Sequence, residues 1–186
     1  GTPLTSPEGV GDEAADSDDA RSSRRRGLFA GVALAAYALD LGTKIWAVRA
    51  LDDGVTRPLV GELLQLHLTR NPGAAFSTGT GYTYVFSLLA MAATVVVLVV
   101  ARRVRSAAWA VALGLLLAGV TGNLTDRMFR GPGPLHGHVV DFLMLPHWPI
   151  FNVADICIDV AAGLIVLQAL RGISVDGARN ARGGEA

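Results

Sequence analysis

Four stretches of the chain shed nearly all charge for about the length of a membrane crossing. The first runs from about Gly27 to Ala50 and is interrupted by Asp40, Lys44 and Arg49. The second, Tyr82 to Ala101, and the third, Ser106 to Thr125, carry no charge at all; the fourth, about Asn152 to Leu170, carries Asp155 and Asp159. A helix needs roughly 20 apolar residues to cross about 30 Å of hydrocarbon, and all four stretches fit. A run of alternating strands long enough for a barrel is absent, and open sheet edges cannot face lipid. One short alternation exists, at Leu64, Leu66 and Leu68 within GELLQLHLTRNPGAAFSTGTG, and it predicts a strand on the outer membrane face followed by a Gly-rich turn. The expected fold is an all-α polytopic membrane protein. It has four transmembrane helices and a small extracytoplasmic β element between helices 1 and 2.

Composition sharpens this. Of 186 residues, 51% are hydrophobic and 17% charged, and the mean hydropathy is +0.42. Residues 1–26 hold six acids and four arginines, so the rest is too poor in charge to clothe a soluble globule. The formal net charge of +0 gives no basic field for nucleic acid. The single cysteine, Cys157, excludes an internal disulfide framework and a multi-cysteine metal site. Residues 1–26 contain almost no large hydrophobe and are expected to form a disordered tail; residues 172–186 are expected to form a flexible one. Arg24–Arg26 before an apolar run resembles the start of a signal peptide, but the run lacks a small-residue cleavage site and further spans follow. It is expected to be a retained first span, with the membrane domain covering 27–171. Arginines at 21, 24–26, 102, 103, 105, 171, 179 and 182 alternate correctly for four spans. The positive-inside tendency places them, and both termini, on the cytoplasmic side.

Polar groups collect at the other side. Asp40 lies 13 residues, or about 20 Å of helix, beyond Gly27, and Asp155 lies 16 residues, about 24 Å, before Arg171. Asp126 lies 21 residues, about 31 Å, beyond Arg105. Asp141 falls in the outer loop, so four carboxylates converge on the outer leaflet, where burial is expensive and points to function by default. Duller readings stand beside each. Asp40 and Lys44, spaced i and i+4, pair and orient their helix. Asp126 and Arg127 form a local ion pair at a helix end. Asp159 is a neutral carboxylic acid bonded within the bundle, and Cys157 is helix packing. His67, His136, His138 and His147 make no recognisable metal site, and Ser77 sits in no nucleophile elbow.

Asp141 and Asp155 are the pair with chemistry in reach. Two carboxyl groups within about 3–5 Å cannot both ionise cheaply and share a proton near neutral pH. The ionised one then takes a proton from water while the protonated one polarises a peptide carbonyl. Spacing alone leaves separate structural roles open for the two.

The segments DLGTK at 40–44, TRNPGAAFS at 69–77, GNLTDR at 122–127, VVDF at 139–142 and FNVAD at 151–155 together resemble the lipoprotein signal peptidases (signal peptidase II), four-span inner-membrane aspartyl proteases. Each block is weak singly; five in family order are specific, and they leave only the tails uncovered. The resemblance implies Asp141 and Asp155 as the catalytic aspartates. It implies Asn71, Gly73, Phe76, Asn123, Arg127 and Asn152 as substrate-binding residues, and Asp40, Lys44 and Asp126 as structural support. One departure is the Ala118-Gly119 pair, where many relatives carry two glycines; Ala is also small enough for close helix contact. The connection between Asp141 and Asp155 is short, and Pro146 and Pro149 stop any helix there.

What the resemblance implies is removal of the signal peptide from diacylglyceryl-modified prolipoproteins, cut N-terminal to the lipidated cysteine, in the bacterial cytoplasmic membrane. The active site is then near the extracytoplasmic face. The expected partners are the lipidated prolipoprotein and membrane lipids, with no nucleic acid, no cofactor and no metal; a monomer suffices. Two alternatives from other classes remain at this point. One is a small transporter or proton-relay bundle using Asp40, Asp155 and Asp159. The other is a non-catalytic receptor for lipidated peptides.

Overall fold

Each apolar stretch is a helix in the computed structural model, which describes residues 8–73 and 82–179, with side chains from residue 20 onward. The order is α1 (Glu8–Ala50), β1 (Arg57–Val60), β2 (Leu64–Asn71), α2 (Thr83–Ala101), α3 (Ala107–Phe129), β3 (Val139–Met144) and α4 (Val153–Leu170). All four helices have membrane-spanning length and apolarity. Their outward faces stay apolar, as at Leu34, Leu89, Val95 and Val166, which suits hydrocarbon rather than water.

The bundle is built around α3, which packs on α1, α2 and α4. Its inward face is small: Ala110, Ala112, Gly114, Ala118, Gly119 and Gly122 are all buried. Lipid gives no hydrophobic drive between spans, so close backbone approach has to supply the packing. Gly119 meets α4 closely: an added Cβ would lie 2.5 Å from the Ala154 carbonyl and 2.6 Å from Ile158 Cγ1.

At one end of the bundle lies an antiparallel sheet in the order β1–β2–β3. Leu66, Val140 and Phe142 of the sheet pack on Ala47 and Leu51 at the end of α1, and Trp46 meets Phe142 edge-on at 6.3 Å. The expected element between the first two helices is therefore present, and it gains a third strand from the outer loop that carries Asp141. VVDFLM is a continuous apolar run broken by one Asp, and it is covered on both sides. Such a strand lacks the alternation that reveals a half-exposed one.

The tails differ from expectation. Residues 8–26, expected from composition to be disordered, continue α1 as helix. Extending an established helix adds one hydrogen bond per residue ordered. Ala14, Ala15 and Ala20 are strong helix formers. After α4, residues 172–179 fold back as a tight turn in which Ile173 pairs with Arg179. Trp109 Nε1 donates to the Ile173 carbonyl at 2.9 Å, and the Arg105 N–H donates to Val175 at 3.1 Å. The tail is rich in small residues, yet Ile173 and Val175 supply the anchor. Residues 1–7 and 180–186 lie outside the described residues.

Gly119→Ala is expected to force α3 off α4 and cost about 1–3 kcal/mol, seen as a lower Tm in detergent. Gly163→Ala, where nothing stands within 4 Å, should leave the Tm unchanged or slightly raised.

Candidate active site

The chain reverses between β3 and α4. Trp148 closes a turn by donating its N–H to the Leu145 carbonyl, and Phe151 returns to exchange backbone hydrogen bonds with Leu143 at 2.9 Å each way. Pro146 and Pro149 forbid a helix in between. This reversal brings Asn152 back alongside Asp141 and starts α4 there.

Asn152 is the N-cap of α4 and has no solvent exposure. Its Oδ1 accepts the Asp155 N–H at 3.1 Å, and its own backbone N–H donates to Asp155 Oδ2 at 3.1 Å. This is a capping box with Asp as its acid. The Asn152 amide nitrogen then donates to Asp141 Oδ1 at 2.6 Å and to Asn123 Oδ1 at 3.2 Å. The one residue is thus bonded to both carboxyl groups.

Two further asparagines complete the set. Asn71 ends β2, where Thr69 faces Asp141 across the ladder. It donates to Asp141 Oδ2 at 3.1 Å while its own oxygen accepts the Gly73 N–H at 3.0 Å. Asn123, on α3, donates to Asp155 Oδ1 at 2.9 Å. Asp141 is only 2% exposed. Burial first, and the Asp155 charge second, push its carboxyl from the ordinary 3.8 up to about 7, against the pull of the Asn152 and Asn71 amides.

Behind this layer sits a buried charge cluster. Lys44 is 0% exposed, and its ammonium reaches Asp40 Oδ2, Asp126 Oδ2 and Asn123 Oδ1, each at 2.9 Å. The first two contacts are ion pairs and the third is a hydrogen bond to the Asn123 amide oxygen. Asp40 Oδ1 accepts the Ala154 N–H at 2.9 Å, one of the donors a helix start leaves open. Gly122 permits this, because a Cβ there would meet the Asp40 carboxylate. Asp126 also accepts the Val140 N–H at 3.2 Å and pairs with Arg130. The expected Asp40–Lys44 pair is present. The expected Asp126–Arg127 pair is not: residues i and i+1 diverge by about 100° around a helix, so Asp126 meets Lys44 and Arg130 instead.

Arg127 turns toward the site. Its Nη2 donates to the Gly73 carbonyl at 2.9 Å, its guanidinium lies over the Phe86 ring at 5.7 Å, and its buried Nη1 has no hydrogen-bond partner among the described residues. A cavity of about 730 Å³ opens here, lined by Asn71, Gly73, Asn123, Arg127 and Asp155 together with an apolar wall that includes Trp148, Ile150 and Phe151. Asp159 joins the lining; its i+4 spacing from Asp155 is a signal for this. The apolar wall is not among the residues expected from the sequence, although a Trp between two prolines next to a span is the kind of residue found at membrane interfaces. Phe86 gives no signal within its uncharged helix. Phe76 lies outside the described residues.

Residues 32–171 match the family described as Signal peptidase (SPase) II. The chain is similar to the lipoprotein signal peptidase of Leifsonia xyli subsp. xyli (strain CTCB07), at 50% identity over 82% of this chain and 71% of that one. It is 47% identical to that of Mycobacterium avium (strain 104), over 84% of this chain and 86% of the relative. The Mycobacterium tuberculosis (strain ATCC 25618 / H37Rv) protein of the same name is 43% identical over 97% and 90%. Among solved structures, a bacterial membrane enzyme at 1.9 Å resolution aligns with a TM-score of 0.69 and 26% identity, covering 78% of this chain and 94% of that one. A second, at 2.3 Å, shares the fold with a TM-score of 0.71 at 24% identity, over 84% and 95%.

Lys44→Met should strand two buried carboxylates and cost about 3–5 kcal/mol, lowering the Tm in detergent. Adding Asp40→Asn and Asp126→Asn to that variant removes the stranded charges and should recover part of the loss.

Proposed function

The chain belongs to the signal peptidase II family of lipoprotein signal peptidases, multi-pass proteins of the bacterial inner membrane, and from that premise we propose that it cuts by aspartyl chemistry at Asp141 and Asp155. The observation that carries the reading is Asn152, bonded to both carboxyl groups at once. Asp155 lines the cavity and takes two N–H donors, which suit a carboxylate that accepts a proton. Asp141 is buried beside it and keeps its proton up to about pH 7.

In this reading Asp155 removes a proton from water as the oxygen attacks the scissile carbonyl carbon. Asp141 delivers its proton to the carbonyl oxygen, giving a neutral gem-diol. On collapse, Asp155 passes its proton to the leaving nitrogen, the C–N bond breaks, and Asp141 recovers a proton from the diol. Atoms and charges balance, and no metal or covalent intermediate is required.

The bond cut is the one N-terminal to the diacylglyceryl-modified cysteine of a prolipoprotein. Such a cysteine holds its scissile bond at headgroup depth, next to the sheet end of the bundle, and the apolar wall at Trp148, Ile150 and Phe151 faces the same cavity. Arg127 Nη1 and the Asn71 amide supply hydrogen bonds to an extended peptide that has lost its water. The arginine distribution puts this end outside and both termini in the cytoplasm. Asp40, which a proton relay would use, is engaged on both oxygens by Lys44 and Ala154.

Asp141→Asn and Asp155→Asn should each lower kcat/KM by at least about 10²–10⁴-fold. The assay is release of signal peptide from a diacylglyceryl-modified precursor, with its unlipidated twin as control. Parent-rate cleavage by either variant, or equal cleavage of both substrates, overturns the proposal.

The singly protonated pair is the active form, so kcat/KM should fall as pH rises through about 7, where Asp141 loses its proton. The same raised carboxyl gives stability that is fully present below 3.8 and lost as pH climbs to about 7. The Tm of the parent should therefore decline over that window more than that of Asp141→Asn.

A further inference from the structure

At the end of the bundle away from the catalytic cavity, Arg21, Arg24 and Arg25 of α1 and Arg105 of the α2–α3 turn line a second cavity, of about 480 Å³. We propose that it holds the phosphate headgroup of an anionic phospholipid. The proposal rests on the four helices crossing a bilayer and is independent of the aspartyl mechanism.

Positions 21, 24 and 25 are three and four apart, so they share one face of α1. Arg105 arrives from a different element, directly after the fully buried Val104. None of the four guanidinium groups forms an ion pair with a described residue. Like charges at i and i+4, such as Arg21 and Arg25, oppose one another, and an anion seated among them removes that cost. Guanidinium forks match phosphate oxygens in geometry as well as charge.

Depth agrees with a headgroup. Phe29 of α1 packs with Val97, Ala101, Val104 and Leu113, the last apolar cluster at this end. Arg25 precedes Phe29 by four residues, about 6 Å of helix. The cavity thus begins one turn beyond the hydrocarbon-like core, where lipid phosphates lie. Basic pockets between spans on this side are suited to anionic headgroups.

Topology alone does not ask for this arrangement. The positive-inside tendency needs charge on one side and no particular geometry. Arg102 and Arg103, in the same turn, serve it while standing outside the cavity lining. Arg21, Arg24 and Arg25 also precede residues 32–171, the part that matches the family model.

The test uses the full chain purified in neutral detergent, titrated with short-chain phosphatidylglycerol, short-chain phosphatidylcholine or inorganic phosphate. Phosphatidylglycerol should raise the Tm saturably by several degrees, with the other two giving no comparable shift. R21Q/R25Q/R105Q should abolish the shift and still cleave substrate at the parent rate, whereas R102Q/R103Q, which removes charge nearby, should keep it. An equal response to phosphatidylcholine, an equal response to phosphate alone, or an equal loss in R102Q/R103Q overturns the proposal. Should the triple variant fail to fold, native mass spectrometry of the parent decides: one phosphatidylglycerol retained in preference to phosphatidylcholine supports the site, and no preference overturns it.

Discussion

Asn152 holds two carboxyl groups with one residue, and most of the sheet end of the protein is arranged so that it can. Its side-chain amide nitrogen serves Asp141, its backbone N–H serves Asp155, and its oxygen takes the N–H of Asp155 in return. With no exposure to solvent, it has no water to fall back on, so every donor and acceptor must be matched within the protein. They are. The arrangement ties the geometry of the pair to the start of α4, which means that the helix cannot begin elsewhere without separating the two acids.

The cost of crowding acids under a sheet is met one layer back. Lys44 is a buried cation that ion-pairs with Asp40 and Asp126 and donates to the Asn123 oxygen. By occupying the Asn123 oxygen, it leaves that amide's nitrogen facing Asp155, which fixes the orientation that a free asparagine would be able to reverse. Asp40 and Asp126 pass the restraint to backbone N–H groups at Ala154 and Val140, each adjacent in the chain to one of the two acids. Close approach of α3 to its neighbours, allowed by Gly119 and Gly122, is what brings these charges within reach. Small residues in the bundle and acid–base chemistry at its end are therefore one design constraint.

How much of this is legible in the sequence depends on the kind of signal. The four spans are visible because an apolar run of about 20 residues suits a membrane crossing and little else, and their ends fall within a few residues of those expected, except that α1 begins at Glu8 instead of near Gly27. Asp141, Asp155, the three asparagines and Arg127 stand in the blocks that resemble the family; Asp155, Asn71, Asn123 and Arg127 line one cavity, and Asn152 ties Asp141 to Asp155. Strand β3 is hidden because a fully covered strand carries no alternation. The partner of Asp126 is hidden for another reason: neighbours in sequence are not neighbours on a helix, and the turn sends Arg127 to Gly73 and Asp126 to Lys44. Phe86 and the wall at Trp148 to Phe151 are apolar residues in an apolar protein, and only the shape of the cavity separates them from the rest. The folded turn at 172–179 shows the same effect in reverse, with two apolar residues outweighing a composition rich in small residues.

A polar site at the sheet end and a cluster of arginines at the far end give the protein two polar poles across an apolar bundle. In the proposed mechanism, catalysis at the sheet end depends on a single proton held between two acids. Carbon-13 NMR of aspartate-labelled protein in bilayers, with the carboxyl signals assigned from Asp141→Asn and Asp155→Asn, measures that proton directly. A shared proton predicts an Asp141 carboxyl that titrates near 7 and shifts downward when Asp155 is replaced by Asn. An Asp141 carboxyl that titrates near 3.8, indifferent to its neighbour, would contradict it.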